Sequence, residues 1–395
     1  MLALAVSALV VSRCGPAPAP PTTSPPRPAT TTTVAARPAP AKPAPPTTKP
    51  APPTTKPAPP TTKPAPPTSA PRSTAPPAPA PLPSPPADAS SYLVGGGAVP
   101  RSSASEPTGN FRFFCEPSHL AYDDPIVKPG QPGGSHLHLF FGNTATSATS
   151  TFGSLRAAGH GSCQGGPLNR SAYWIPALFD QQGNVRLPEH IAVYYKGNGP
   201  TAANIATIRT YPDGLRMLAG HDMAKPAASH GFYWLCGSST TRHATIPSCP
   251  AGQMVAAAVE FPSCWDGRNL DSPDHRSHMA YLDWSRGWPA SCPASHPVML
   301  PQYSLFAWFA QNGDAANWYL SSDRGMGMSA PNGSTLHADW FGAWDPGIQQ
   351  LWTQQCINAM RDCSTGELGD GRSLGWGSTR YAGPSVVAPP RPPGS

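Results

Sequence analysis

Apolar and polar residues alternate in several short stretches between positions 110 and 310, a pattern typical of half-buried β-strands. Examples are "HLHLFF" from His136, "HIAVYY" from His190 and "YSLFAWFA" from Tyr303. Clusters of Gly, Pro, Asn and Asp separate these stretches and indicate turns and long loops. The pattern predicts a mainly β fold, a sandwich or jelly-roll-like single domain over residues 95–378.

One segment, "WDPGIQQLWTQQCINAMRDCSTG", has helical periodicity instead. Asp345 can cap its start, and Pro346 suits the first helical position. The apolar residues that follow fall on one face at helical spacing. We predict one helix near the C-terminus of the domain, with Gly366 as its stop.

Composition changes sharply near residue 88. Residues 15–88 are almost entirely Pro, Ala, Thr and Ser and include a seven-residue repeat, "KPAPPTT". The repeat has no large apolar side chain to bury, so we predict a disordered Pro/Thr-rich linker of polyproline II character. Residues 379–395 are again rich in proline, and the same reasoning predicts a disordered tail.

The basic character of the chain belongs to the predicted linker. The formal net charge is +6, but eight cations and no acidic residue precede Asp88, which leaves −2 on the remainder. The predicted domain therefore lacks the positive charge that nucleic-acid binding requires, and that class of partner is excluded.

Residues 1–14 resemble a signal segment, because the apolar run at residues 2–11 is too short to cross a membrane. We therefore expect no transmembrane helix and an extracellular or cell-surface location. A lipid anchor at Cys14 is the alternative, although Arg13 is unsuited to a lipidation motif.

The other eight of the nine cysteines are scattered without a C-x-x-C pair, which favours four disulfides formed in an oxidising compartment over a thiolate metal site. Cys236–Cys249 and Cys356–Cys363 are candidate local loops, while the sequence leaves the remaining pairs open. The eight are Cys115, Cys163, Cys236, Cys249, Cys264, Cys292, Cys356 and Cys363.

Histidines form the first candidate site. On a strand, His136 and His138 share one face with Phe140, while the Leu and Phe residues between them face the core. Two adjacent imidazoles are a common way to present nitrogen ligands to one metal ion. Two histidines hydrogen-bonded to neighbours are the alternative.

A second candidate site lies in "FPSCWDGRNLDSPDHRSHMAY". If Ser272 and Pro273 start a helical turn, Asp274, His275 and His278 fall on neighbouring positions of one face. A salt-bridged structural loop pinned by Cys264 is the alternative. We expect this loop and the His136 strand to meet in space.

Aromatic residues accompany a third cluster, "LHADWFGAWD", where His337 and Asp339 share a face if the segment is extended. Trp265, Trp340 and Trp344 are candidates for stacking on sugar rings, or for core packing.

These motifs occur in an order that resembles domain-of-unknown-function family nineteen-ninety-six, found in secreted fungal and actinobacterial proteins. The resemblance rests on the H-x-H string at His136, on S-P-D-H-x-S-H-M from Ser272 and on S-H-P from Ser295. It implies an extracellular domain, often joined to sugar-binding modules, and gives no reaction.

We therefore predict a secreted or surface-tethered domain that acts on envelope or environmental polysaccharide, as a hydrolase or lyase using a divalent metal ion. The alternative is a non-catalytic carbohydrate-binding or wall-organising domain. The predicted metal ligands are His136, His138, His275 and His278, and the predicted acid–base groups are Asp271, Asp274, His275 and His278.

Overall fold

The computed structural model describes residues 89–102, 108–197, 201–283, 291–324, 329–376 and 383–394. The predicted signal segment and linker lie outside these ranges. The described residues all belong to one compact unit.

Twenty β-strands occur in the described ranges. In chain order they are β1 (Leu93–Gly95), β2 (Asn110–Cys115), β3 (His119–Ala121), β4 (His138–Gly142), β5 (Ala172–Pro176), β6 (Leu178–Phe179), β7 (Val185–Arg186), β8 (His190–Lys196), β9 (Arg216–Gly220), β10 (Phe232–Cys236), β11 (Val255–Glu260), β12 (Cys264–Trp265), β13 (Met279–Ala280), β14 (Val298–Met299), β15 (Gln302–Phe309), β16 (Tyr319–Leu320), β17 (His337–Phe341), β18 (Asp362–Cys363), β19 (Arg372–Leu374) and β20 (Val386–Val387).

Helices are short. They are α1 (Phe152–Ala157), α2 (Ala202–Ala206) and α3 (Pro346–Trp352), with a π-helix at Thr353–Asn358 directly after α3 and 3₁₀ turns at Ala89–Tyr92, Gly166–Leu168, Pro226–Ala228 and Ala315–Asn317. Within the described ranges, none of these helices has the length and apolar character needed to cross a membrane.

Two large sheets carry most of the strands. One has six strands in the order β10-β11-β15-β8-β2-β18, and the other has five in the order β3-β4-β5-β17-β9. Neighbouring strands are antiparallel throughout, except that β18 runs parallel to β2. The smaller sheets are β16-β6-β7-β20, β13-β12-β14 and β1-β19.

The two large sheets pack face to face around one hydrophobic core. The hydroxyls of Tyr173 on β5 and Tyr195 on β8 lie 3.0 Å apart across the interface. Nearby, the ring centroids of Tyr303 on β15 and Trp340 on β17 are 6.4 Å apart. The prediction of a mainly β sandwich is therefore confirmed.

The five-stranded sheet is also covered on its other face. Phe140, Trp174 and Phe341 point away from the main core and form a second small cluster with Ile126 and Leu155. Leu137 and Leu139 belong to the main core, as the alternation in "HLHLFF" predicts. The face that carries the histidines is thus buried beneath loops.

The predicted C-terminal helix is present. The Asp345 carboxylate accepts hydrogen bonds from the backbone N–H groups of Gly347 and Ile348, and Pro346 is the first helical residue. The helical segment ends at Asn358, before the predicted stop at Gly366, because Met360 adopts a left-handed φ of 55°.

All eight domain cysteines form disulfides, as predicted. The two predicted local loops are among them. The four bonds are Cys115–Cys163, Cys236–Cys249, Cys264–Cys292 and Cys356–Cys363.

The chain beyond residue 382 differs from the predicted disordered tail. Val386 and Val387 form β20 and pair with Arg186 and Val185 of β7. Val387 also packs against the main core. Two β-branched residues amid the prolines provide the apolar contact and the backbone pairing that a purely Pro-rich segment lacks.

Candidate metal centre

Three histidines meet on the outer face of the five-stranded sheet. His138 begins β4 and pairs with Pro176 of β5. On the other side of β5, Asp339 of β17 pairs with Trp174, and this register places His337 level with Pro176. Since residues level with one another share a face in antiparallel sheets, His138 and His337 flank the end of β5 on one side.

His136 completes the group from the loop just before β4. Its ring centroid lies 4.2 Å from that of His138 and 5.1 Å from that of His337. One potential ligand atom from each of the three residues lies within 4.8 Å of the other two. The three imidazoles form a buried triad that could hold a metal ion.

Hydrogen bonds set the orientation of two of these rings. The Nδ1 atom of His138 lies 2.9 Å from the carbonyl oxygen of Asp123, and that of His337 lies 2.8 Å from the carbonyl oxygen of Thr335. A carbonyl only accepts, so each Nδ1 carries the proton and donates it. Each Nε2 then keeps a lone pair, the arrangement of a metal-ligating imidazole.

Burial keeps the triad neutral. It lowers the pKa of His138 to about 3, with a further contribution from the neighbouring His337. Burial also holds the pKa of His136 and of His337 well below the ordinary value. The second cause is a neighbouring imidazole, that of His138 for His136 and that of His136 for His337. All three rings therefore keep their lone pairs at neutral pH, as metal binding requires.

Asp339 lies two residues beyond His337, on the same face of β17. Burial raises the pKa of its carboxyl group well above the usual range, and the nearby Asp124 raises it further. Asp124 itself is buried, and its Oδ1 accepts hydrogen bonds from the N–H groups of Ile126 and Val127, each at 2.8 Å. Two acidic groups thus lie next to the triad.

Several buried polar atoms here lack hydrogen-bond partners. In the described part of the chain, no partner reaches Nε2 of His136, Nε2 of His138 or either carboxylate oxygen of Asp339. Buried polar atoms normally have hydrogen-bond partners, so several buried polar atoms without partners in one place indicate a site for an ion or a water molecule.

A cavity of about 540 Å³ gives access to the site. His136, His337 and Asp339 line it, together with His275 and Arg276 from the "DSPDHRSHMAY" loop. The loop and the His136 strand therefore line one cavity, as expected from the sequence.

His275 borders this cavity without joining the triad. Its Nδ1 lies 2.9 Å from Oδ1 of Asp271. The other oxygen of Asp271 accepts a hydrogen bond from Arg216 at 3.1 Å. Asp274 also lines the cavity, but its Oδ1 accepts hydrogen bonds from Ser272, Arg276 and Ser277, and these bonds hold its pKa below the usual range despite partial burial.

His278, predicted as a metal ligand, lies outside the group of three histidines that could hold a metal ion. Its Nδ1 bonds to the hydroxyl of Ser272 at 2.9 Å and its Nε2 to the carbonyl oxygen of Arg216 at 2.7 Å, so both ring nitrogens are occupied. The predicted helical turn does not form, because His275 adopts a left-handed φ of 54°. His275 and His278 consequently diverge instead of sharing a face.

The predicted sugar-stacking tryptophans are placed differently. Trp340 and Trp344 are buried in the main core, where Trp340 packs on Tyr211 at 4.7 Å between ring centroids. No sugar can reach them in the folded chain. Trp265 is partly buried, and its Nε1 donates to the carbonyl oxygen of Asn269 at 2.6 Å.

His337, which is absent from the predicted ligands, is the third residue of the triad. Its signal in the sequence is the H-x-D alternation in "LHADW", which places His337 and Asp339 on one strand face. The H-x-D alternation does not predict the strand order, in which β17 and β4 lie on either side of β5.

The comparisons with known proteins identify a family and no activity. The sequence model of the family described as a domain of unknown function (DUF1996) matches residues 124–344, more than half of the chain. No curated protein and no solved structure matches.

Proposed function

We propose that this chain, which belongs to the family described as a domain of unknown function (DUF1996), is a metal-dependent domain that cleaves extracellular polysaccharide. His136, His138 and His337 would hold one divalent ion. The reaction class is hydrolysis or lyase-type cleavage, carried out in the cavity beside the triad.

The triad is the observation that carries this proposal. Three neutral imidazoles lie beside the Asp339 carboxylate, which has no hydrogen-bond partner in the described residues, and two of them, His136 and His337, line a cavity. Three protein ligands with an open position are typical of catalytic zinc sites, in contrast to the four closed ligands of structural ones. A bound divalent ion would act as a Lewis acid on a substrate oxygen.

The same cavity offers a proton carrier, His275. Asp271 holds His275 through Nδ1 and is itself paired with Arg216. A carboxylate that fixes one ring nitrogen leaves the other for proton transfer, the arrangement that orients a general acid or base. We assign this role to His275, with Asp271 as its positioning residue, while Asp274 and His278 stabilise the loop.

The charged residues that line the cavity suit a polar substrate. Lys128, Lys225 and Arg276 line the cavity together with Asp124 and Asp222. The four disulfides support action outside the cell, where such bonds form and persist. Polysaccharide is the substrate class that accords with this location.

Metal analysis followed by a degradation screen tests the proposal. Purified protein should contain about one divalent ion per chain, and soluble sugars should be released from at least one polysaccharide. Release should stop with a chelator and resume when the ion is restored. Protein that takes up no metal at neutral pH would contradict the proposal and favour a non-catalytic carbohydrate-binding domain.

A further inference from the structure

A second cavity, of about 380 Å³, adjoins the metal centre. It shares Ser135 and His136 with the cavity described above, so the two cavities adjoin at His136. We name it the aromatic groove, after the three side chains that line it, Tyr122, Phe179 and Tyr319.

Two rings of the aromatic groove stack on each other. Phe179 on β6 and Tyr319 on β16 are cross-strand partners, and their rings stack with centroids 5.3 Å apart and planes inclined by 10°. The guanidinium carbon of Arg324 lies 3.7 Å from the Tyr319 ring centroid. All three aromatic side chains are partly exposed, in contrast to the buried Trp340 and Trp344.

Polar groups stand beside these rings. The hydroxyl of Ser321, the residue after β16, donates a hydrogen bond to the carbonyl oxygen of Leu137 at 2.6 Å. Leu137 is the residue between the two histidines of the H-x-H motif. Ser135 and Arg324 also line the groove. Apolar ring faces next to hydroxyl and guanidinium groups match a sugar, whose C–H face packs on aromatic rings while its hydroxyls hydrogen-bond at the edge.

We propose that the aromatic groove binds successive sugar units of a glycan chain that extends from His136. This inference rests on the proposed function and adds a substrate-binding site to it. Among the described residues, the lining of the main cavity includes no Phe, Tyr or Trp, so the groove supplies the stacking surface that the predicted tryptophans do not. A chain held on Phe179 and Tyr319 would pass His136 and reach the triad.

Binding of defined oligosaccharides tests the assignment. The probes are hexasaccharides of β-1,3-glucan, β-1,4-glucan, chitin and arabinan, titrated into the full-length protein by calorimetry. Phe179→Leu and Tyr319→Leu remove a ring but keep an apolar side chain at each position. Each should weaken binding of the preferred hexasaccharide by about tenfold or more.

Tyr194→Leu is the matched control, because Tyr194 is a partly buried strand residue that packs on Phe306 outside the groove. It should bind the hexasaccharide like the unaltered protein. Metal content, measured on every sample, should be the same in the two groove variants as in the control. His337→Ala should lose the metal and keep glycan binding in the groove.

The outcomes separate the two proposals. If the protein holds metal and degrades polysaccharide while both groove variants bind normally, the groove assignment fails and the proposed function stands. If the groove variants lose glycan binding but no sample takes up metal, the groove stands and metal-dependent cleavage fails. Binding of no hexasaccharide, or binding at the groove of a synthetic "KPAPPTTKPAPPTT" peptide alone, would overturn the glycan assignment.

Discussion

The Nδ1 of His138 donates a hydrogen bond to the carbonyl oxygen of Asp123, at 2.9 Å. The bond connects the first residue of β4 to the loop that covers it, and it turns the other ring nitrogen toward His136 and His337. A backbone contact thus sets the tautomer of a candidate metal ligand.

Loss of a triad histidine should abolish metal uptake. We expect His138→Ala and His337→Ala to reduce metal affinity by at least about a hundredfold, since each removes one of three protein ligands. His278→Ala is the control, because both nitrogens of His278 are already bonded outside the triad. Zinc titration against a competing chelator measures the difference. Normal affinity in His138→Ala, or loss in His278→Ala, would contradict the site as described.

Replacing Asp339 by Asn should separate metal affinity from stability. Burial without a hydrogen-bond partner in the described structure raises the pKa of the Asp339 carboxyl group well above its usual range, so its ionisation costs stability in the metal-free protein, and Asn avoids this cost. The metal-free variant should melt no lower than the unaltered protein. It should bind a divalent cation about tenfold more weakly, because the negative charge near the ion is gone. Melting curves with chelator and zinc titrations provide the two readouts, and unchanged affinity would exclude Asp339 from the site.

Acid should destabilise the metal-free protein. The pKa of His138 falls from 6.5 in the unfolded chain to about 3 in the fold. Between these values the unfolded state binds the proton and the folded state does not, so stability falls as pH falls below about 6.5. The slope from one such group is about 1.4 kcal/mol per pH unit.

The lowered pKa values of His136 and His337 also make stability fall as pH falls. The raised pKa of Asp339 has the opposite effect on stability at pH values above its ordinary value of 3.8. Denaturant unfolding at a series of pH values, with chelator present, measures the summed effect of these groups on the free energy of unfolding. His138→Gln should flatten the curve between pH 6.5 and pH 4, because Gln does not titrate. A curve that is flat in the unaltered protein would contradict the buried neutral state.

The disulfides should differ in their effect on stability. Cys115 and Cys163 are 48 residues apart, whereas Cys356 and Cys363 are 7 apart. Loop-closure entropy gives about 4 kcal/mol for the long loop and about 2 kcal/mol for the short one. Paired Cys→Ser variants, compared by denaturant unfolding, should follow that order. Free-thiol counting on the denatured unaltered domain should find none of the eight reduced.

Local patterns predicted the parts of this fold that depend on local physics. The alternation at His136 and His138 gave the correct sheet faces, and Asp345 with Pro346 gave the correct helix start, because each depends on a few neighbouring residues. Among the disulfides, the two short loops followed from spacing alone. Cys264–Cys292 and Cys115–Cys163 required the three-dimensional arrangement of the strands.

The composition of the triad could not be derived from the sequence. The sequence pattern predicts a helical turn that contains His275 and His278, whereas the left-handed φ of His275 breaks that turn. His337 joins His138 only because β5 lies between their strands. Non-local strand order decides which histidines meet, and no pattern of residues near His337 encodes it.

The five-stranded sheet has a main core on one face and the histidine triad on the other. The residues that hold the sandwich together are therefore largely separate from those that line the cavity, which come from strand ends and loops. Such a division makes the protein a suitable scaffold for divergence: insertions or substitutions in the covering loops can alter substrate selectivity while the packed sandwich is inherited unchanged. Under the proposed function, relatives with the same triad and different loops would share one chemistry and act on different polymers.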